Sequence, residues 1–331
     1  MGLFSRILRG ITPAGAAACL LSGAIALAQN TGFTGVNYGP FHRAGQSPEI
    51  PSRLAAEHIA ADLDAISAAG FRVIRIFGLD NGLEQIVPIA HRRFPHLKFF
   101  LGVYVCGTHH DDRANPHSTR SQMDEAIRLA NAFASVEGIV VGNECLAGEP
   151  EACRQPVSLE QLIQDVETVR RGLAGRASRR VRVTTAMSML AAVKHHETQG
   201  RRLAGHGDAV MVNIYPFFDK VAASDAPKAF AGALEHVSRL YAAGGKPLIV
   251  GETGWPSAGP ANGAAAPGLA NQANYLRAVS RYARVNRLGL FLFEMFDEPW
   301  KSAAESVGPH WGLCDKDGRP KFKPPFPWEA D

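Results

Sequence analysis

The sequence predicts an α/β fold, a single (β/α)8 TIM barrel. Three observations predict it. Eight short apolar runs recur from residue 33 to near the end, each followed by a stretch with helical periodicity. The runs are continuously apolar, as in FFLGVYV, IVV and LFLF, rather than alternating. That is what parallel strands covered on both faces require. No linker or change in composition divides the chain, and no glycine-rich phosphate fingerprint follows the first strand, as an open doubly wound sheet would carry.

The expected strands span 33–38, 71–77, 98–106, 138–143, 181–187, 209–215, 247–251 and 288–296. The helices between them have readable faces and ends. Ile59, Leu63 and Ile66 share one face, and Gly70 stops that helix. Ser158 and Gln161 form an expected capping box ahead of Leu162, Val166, Val169 and Leu173, with Gly175 closing the element. Phe230, Leu234, Val237 and Tyr241 make another stripe, ended by Gly244 and Gly245. These stripes are core contacts.

Residues 1–28 read as a secretory signal segment outside the fold. Arg6 and Arg9 precede an apolar run that ends Ala26-Leu27-Ala28, a small-x-small pattern that places cleavage after Ala28. The catalytic domain is then 29–331, in the periplasm or outside the cell, with no stable membrane association. The alternative is an uncleaved anchor, which the many Ala and Gly residues disfavour. Formal charge is +4, and removing Arg6 and Arg9 leaves +2. That balance argues against nucleic acid as a partner. Cys106, Cys145, Cys153 and Cys314 remain, and export permits disulfides. Cys145–Cys153, closing a short loop, is the leading pairing of three possible connectivities.

In a barrel of this kind the active site forms at the C-terminal strand ends. The fourth strand, GIVVGN, runs into Glu144; the seventh, LIVG, runs into Glu252. A glutamate after a buried apolar run is costly to desolvate without partners. One could be a salt-bridged core residue. Two at one rim suggest paired carboxylates, the requirement of glycosidic cleavage: one gives a proton to the leaving oxygen and the other attacks the anomeric carbon.

Four segments carry a family resemblance: Val36-Asn37-Tyr38-Gly39, Val141-Gly142-Asn143-Glu144, Gly251-Glu252-Thr253-Gly254-Trp255-Pro256-Ser257, and Phe296-Asp297-Glu298-Pro299-Trp300-Lys301 followed by His310-Trp311-Gly312-Leu313. On these the chain resembles glycoside hydrolase family 17, the β-1,3-glucanases and β-1,3-glucanosyltransferases, and looks closer to microbial than to plant members. The resemblance implies a retaining enzyme on β-glucan, without cofactor or metal, with Glu144 as acid/base and Glu252 as nucleophile. Asn143 is expected to reach the sugar 2-hydroxyl, and Tyr215 to hydrogen-bond Glu252. Arg75 should favour the ionised nucleophile by its charge, while Glu298 and Lys301 tune the acid side. Tyr38 and Trp255 are expected as sugar-binding aromatics, with Phe217, Phe218 and Trp300 as further candidates at the rim.

Other signals are weaker. The His109-His110-Asp111-Asp112 run reads as a solvated loop rather than a metal site, and His195-His196 lies on a helix. No Gly-x-Ser-x-Gly elbow supports a serine hydrolase. The competing readings are a relative acting on another β-linked polymer, such as a mannanase or cellulase, and a catalytically silent glucan-binding barrel.

Overall fold

Eight parallel strands close into a barrel in chain order, with β1 hydrogen-bonded to both β2 and β8. The computed structural model describes residues 32–48, 54–149, 155–303 and 306–329; the expected signal segment and Cys153 lie outside them. The order is β1 Phe33–Asn37, α1 Ala56–Ala68, β2 Val73–Ile76, α2 Ile86–Arg93, β3 Lys98–Val103, α3 Thr119–Ala132, β4 Val136–Asn143 and α4 Leu159–Gly172. It continues with α5 Ala177–Arg180, β5 Arg182–Met187, α6 Arg201–His206, β6 Val210–Asn213, α7 Ala226–Tyr241, β7 Leu248–Thr253, α8 Leu269–Val285 and β8 Gly289–Leu292. Two π-helical turns, Leu190–Lys194 and His196–Gly200, lead from β5 into α6.

Packing follows the two periods read from the sequence. The apolar helix stripes, including Ile59, Leu63 and Ile66, and Leu162, Val166 and Val169, are buried against the outside of the barrel. Inside it, each strand contributes to a second cluster: Phe33, Val73, Phe100, Val140, Ala186, Met211, Ile249 and Phe291. The rings of Phe33, Phe100 and Phe291 lie 5.1 to 5.8 Å apart and fill the lower barrel. The barrel interior is thus a packed core, and polar chemistry is confined to the layer above it.

The strand ends differ from expectation where the chain is irregular. β8 stops at Leu292 rather than at residue 296, and β3 at Val103 rather than 106. β7 runs on to Thr253, so Glu252 lies within it. Ser158 Oγ accepts from Gln161 N at 3.1 Å, but the capping box is half made. The Gln161 side chain donates to Asp165 Oδ1 at 3.0 Å, so it does not return to the cap.

The expected Cys145–Cys153 disulfide is not formed. Cys145 is a free, buried thiol, as is Cys314, while Cys106 is disulfide-bonded. Cys145 turns its sulfur under the strand it follows: a Cβ added at Gly142 would fall 2.6 Å from Sγ. No described helix is long and apolar enough to cross a membrane.

Candidate active site

Two bulges aim the polar layer. Along β4 and β5, Val140 pairs with Thr184 but Asn143 with Ala186, so β4 carries one extra residue. Gly142 lies inside that step with φ +76°, a conformation glycine adopts freely. Along β6 and β7, Val212 pairs with Val250 but Asn213 with Glu252, which adds a residue to β7 at Gly251. A one-residue slip turns the following side chains to the other face. Ile249 already points inward, so the slip brings Glu252 inward as well.

The result is one hydrogen-bonded net. Arg75, in β2 and 1% exposed, donates Nη1 to Glu252 Oε1 at 3.1 Å and to Gly251 O at 2.8 Å. Its Nη2 donates to Asn143 Oδ1 at 2.8 Å. Asn213 Nδ2 donates to the same Asn143 oxygen at 3.1 Å and to Glu144 Oε1 at 2.7 Å. Tyr215 donates its hydroxyl to Glu252 Oε2 at 2.9 Å. Asn143 therefore has its carbonyl held from two sides.

The two carboxylates, each 5% exposed, receive different partners. Glu252 is bonded to a guanidinium and a phenol. Burial pushes the Tyr215 phenol well above its ordinary value and the Glu252 charge pushes it further, so it remains a donor. Burial pulls the Arg75 guanidinium down, against the charges of Glu252, Tyr215 and Glu144. Glu144 receives the neutral Asn213 amide. It also has φ +46°, a backbone region that costs a non-glycine residue about 1–3 kcal/mol and persists only where its surroundings enforce it.

Beyond β8 the structure adds a residue that the sequence reading placed inside a strand. Lys301 Nζ contacts Glu294 at 2.7 and 2.6 Å and Glu298 Oε2 at 2.8 Å. Both glutamates are buried, and Glu298 rests against Gly39, where any side chain would collide with its carboxylate. Burial, then the Glu298 charge, raises Glu294 well above the ordinary carboxylate range, although Lys301 opposes this. Burial alone would lower Lys301, but the two carboxylates reverse that and raise it. The signal was present in the sequence: Glu294 interrupts LFLFEMF, and a charge there demands a partner.

The aromatic expectations require correction. Tyr38 and Trp255 are both 0% exposed. Tyr38 donates to Asp62 Oδ2 at 2.8 Å, and Trp255 donates Nε1 to Ala266 O at 3.0 Å, so neither offers an open face to a sugar. Phe217 is buried beside Trp255, and Trp300 is partly buried. The open rings at this rim are Phe218, 47% exposed after β6, and Tyr104, 50% exposed after β3. His110 is held by Asp165 at 2.9 Å, and no described group of three or more potential ligands could hold a metal ion.

Comparison with known proteins agrees with this architecture. The chain is 27% identical over 293 residues to the probable family 17 glucosidase SCW10 of Saccharomyces cerevisiae, covering 87% of this chain and 66% of that protein. It is 29% identical to a probable β-glucosidase, btgE, of Aspergillus flavus, covering 85% of this chain and 42% of that one. The chain thus spans less than two thirds of the length of these relatives. An endo-laminarinase from Formosa superposes with a TM-score of 0.74 at 21% identity, covering 91% of this chain and 88% of that one. A Rhizomucor miehei β-1,3-glucanosyltransferase, solved as an active-site mutant with laminaritriose, gives 0.70 at 22%, covering 91% and 99%. These two likenesses establish the fold. Residues 35–312 match the model of the BtgE/BtgC glycoside hydrolase domain, and the chain belongs to that family.

Proposed function

We propose that this chain is a retaining glycosidase acting on β-1,3-glucan through a covalent glucosyl-enzyme. The observation that carries the proposal is that two buried carboxylates, on β7 and just after β4, are joined by one net through Arg75, Asn143 and Asn213. A carboxylate held by a guanidinium on one oxygen and a phenol on the other is fixed in place for attack on the anomeric carbon. That is Glu252. Glu144, bonded to a neutral amide, protonates the departing oxygen and then takes a proton from the acceptor hydroxyl.

Asn143 has its carbonyl fixed and presents its amide to the sugar 2-hydroxyl, a contact that strengthens in the transition state. Arg75 and Tyr215 act on Glu252 directly. Glu298 and Lys301, joined by Glu294, set the charge of the neighbouring rim. Phe218 and Tyr104 supply the open aromatic faces for stacking. Export to the periplasm or beyond, with cleavage after Ala28, fits a polymeric substrate. The substrate is suggested by the names of the neighbours, an endo-laminarinase and a glucanosyltransferase.

The acceptor decides between two activities of one mechanism: water gives a glucanase, and a sugar hydroxyl gives a glucanosyltransferase. Incubating the purified protein with one defined laminari-oligosaccharide tests the reading. Shorter products alone indicate hydrolysis, while products longer than the substrate establish transfer. Turnover of mannan or cellulose with none of laminarin would overturn the substrate. No turnover of any β-glucan, with Glu144→Gln and Glu252→Gln leaving every measurable property unchanged, would leave only a glucan-binding barrel.

A further inference from the structure

A further glutamate, Glu149, has no part in the net just described. Glu149 is 8% exposed and has no cation within ion-pair distance among the described residues. Its carboxylate is nevertheless fully engaged. Oε1 accepts from Ser188 N at 3.1 Å and Ser188 Oγ at 2.9 Å, and Oε2 accepts from Leu146 N at 3.0 Å. Its own backbone N–H donates to Leu146 O at 3.1 Å, which closes the turn. A buried carboxylate satisfied by three neutral donors is an anchor, because losing one donor leaves charge without a partner.

What it anchors is the segment that carries Glu144. Glu144 N donates to Ala186 O at 3.0 Å, at the end of β5. Five residues later Glu149 grips Ser188, two residues beyond Ala186 on the same exit. Ser188 Oγ in turn accepts from Ala191 N at 3.3 Å, which secures it to the following helical turn. The left-handed Glu144 backbone is therefore tethered to β5 before and after.

We propose that Glu149 is the positioning residue of the acid/base, fixing the aim of Glu144 by clamping the turn after it to Ser188. The inference rests on the glycosidase reading above and on Glu144 as its acid/base. Burial raises the Glu149 carboxyl despite its hydrogen bonds, which is consistent with an anchor that depends on intact donors. In Glu149→Gln, one carboxylate oxygen becomes an NH2 group facing a donor, and part of the clamp is lost.

The test uses two substrates of the full-length enzyme. Laminari-oligosaccharides need a proton on the leaving oxygen; a dinitrophenyl β-glucoside does not. A complete loss of acid/base catalysis costs about 10²–10⁴-fold, so a misaimed Glu144 should lower kcat/KM on the oligosaccharide by about ten- to hundred-fold. On the aryl glucoside kcat/KM should stay near wild type. Added azide should raise its turnover by accepting the glucosyl group that a poorly placed base releases slowly. Ser188→Ala should give the same pattern with a smaller loss, and it carries the test alone if Glu149→Gln does not fold. An equal loss on both substrates, or no loss on either, overturns the inference while leaving the glycosidase reading intact. A wild-type protein inactive on both would instead remove the reading on which the inference rests.

Discussion

Asn213 donates to Glu144 Oε1 at 2.7 Å although its Cα stands in register opposite Glu252. One amide on β6 thus spans the space between the β4 and β7 carboxylates. It also steadies Asn143 through the second contact at 3.1 Å. Asn213→Ala removes both bonds and leaves the rest of the net in place. A hydrogen bond to a charged group is worth about 1.5–3 kcal/mol, and each 1.4 kcal/mol is about tenfold in rate. Oligosaccharide turnover should therefore fall roughly ten- to hundred-fold. An unchanged rate would show that Asn213 does not act on Glu144.

Arg75 and Tyr215 both serve Glu252 but should fail differently. Arg75→Gln leaves a buried carboxylate without its cation and strips donors from Gly251 O and Asn143 Oδ1. Breaking a buried pair on one side costs about 3–5 kcal/mol. Tyr215→Phe removes one hydrogen bond to a charged group and leaves the cation, for about 1.5–3 kcal/mol of stability. Denaturant titration of both variants should show the larger loss of stability for Arg75→Gln, with activity reduced in each. Equal losses would mean that the guanidinium does not compensate the buried charge.

Most of this net was legible in the sequence because strand ends in a barrel are fixed by topology. Apolar runs gave eight strands, and the polar residue ending each one was then a rim residue. This brought Glu144 and Glu252 to notice, and the family resemblance added Arg75, Asn143 and Tyr215. What could not be read was register. The bulges around Gly142 and Gly251 decide which way Asn143 and Glu252 face, and each depends on the neighbouring strand. Asn213 escaped for the same reason. Tyr38 and Trp255 fit their motifs, but Asp62 and the Ala266 carbonyl draw their polar atoms into the interior. Glu294 was absorbed into an apolar run because its partner, Lys301, follows seven residues later past the strand end.

The cluster of Glu294, Glu298 and Lys301 sets two buried carboxylates against one ammonium, so a proton is retained there to higher pH than on a free glutamate. In the folded state Glu294 is raised; in the unfolded chain it is ordinary. Between those limits the folded state binds more protons, so stability is full below the ordinary carboxylate range and falls as pH rises through the raised one. Glu294→Gln removes this dependence. Unfolding free energies measured across neutral pH should then decline more steeply for wild type than for the variant. Parallel curves would show that Glu294 titrates normally.

The cysteines should separate into two classes by labelling. Burial raises the Cys145 thiol, and the Glu149 charge raises it further. Burial also pushes the Cys314 thiol up to about 12, with Asp315 adding to the effect. Only a thiolate is a good nucleophile, and a buried thiol at such values presents almost none at neutral pH. Both should resist alkylation in the native protein and react in denaturant without reductant. Cys106, being disulfide-bonded, should react only after reductant is added. Peptide mapping of the alkylated chain reads all three at once. Rapid native labelling of Cys145 would mean that the segment after Glu144 opens to solvent. That would contradict both the burial of the thiol and the closed turn between Leu146 and Glu149.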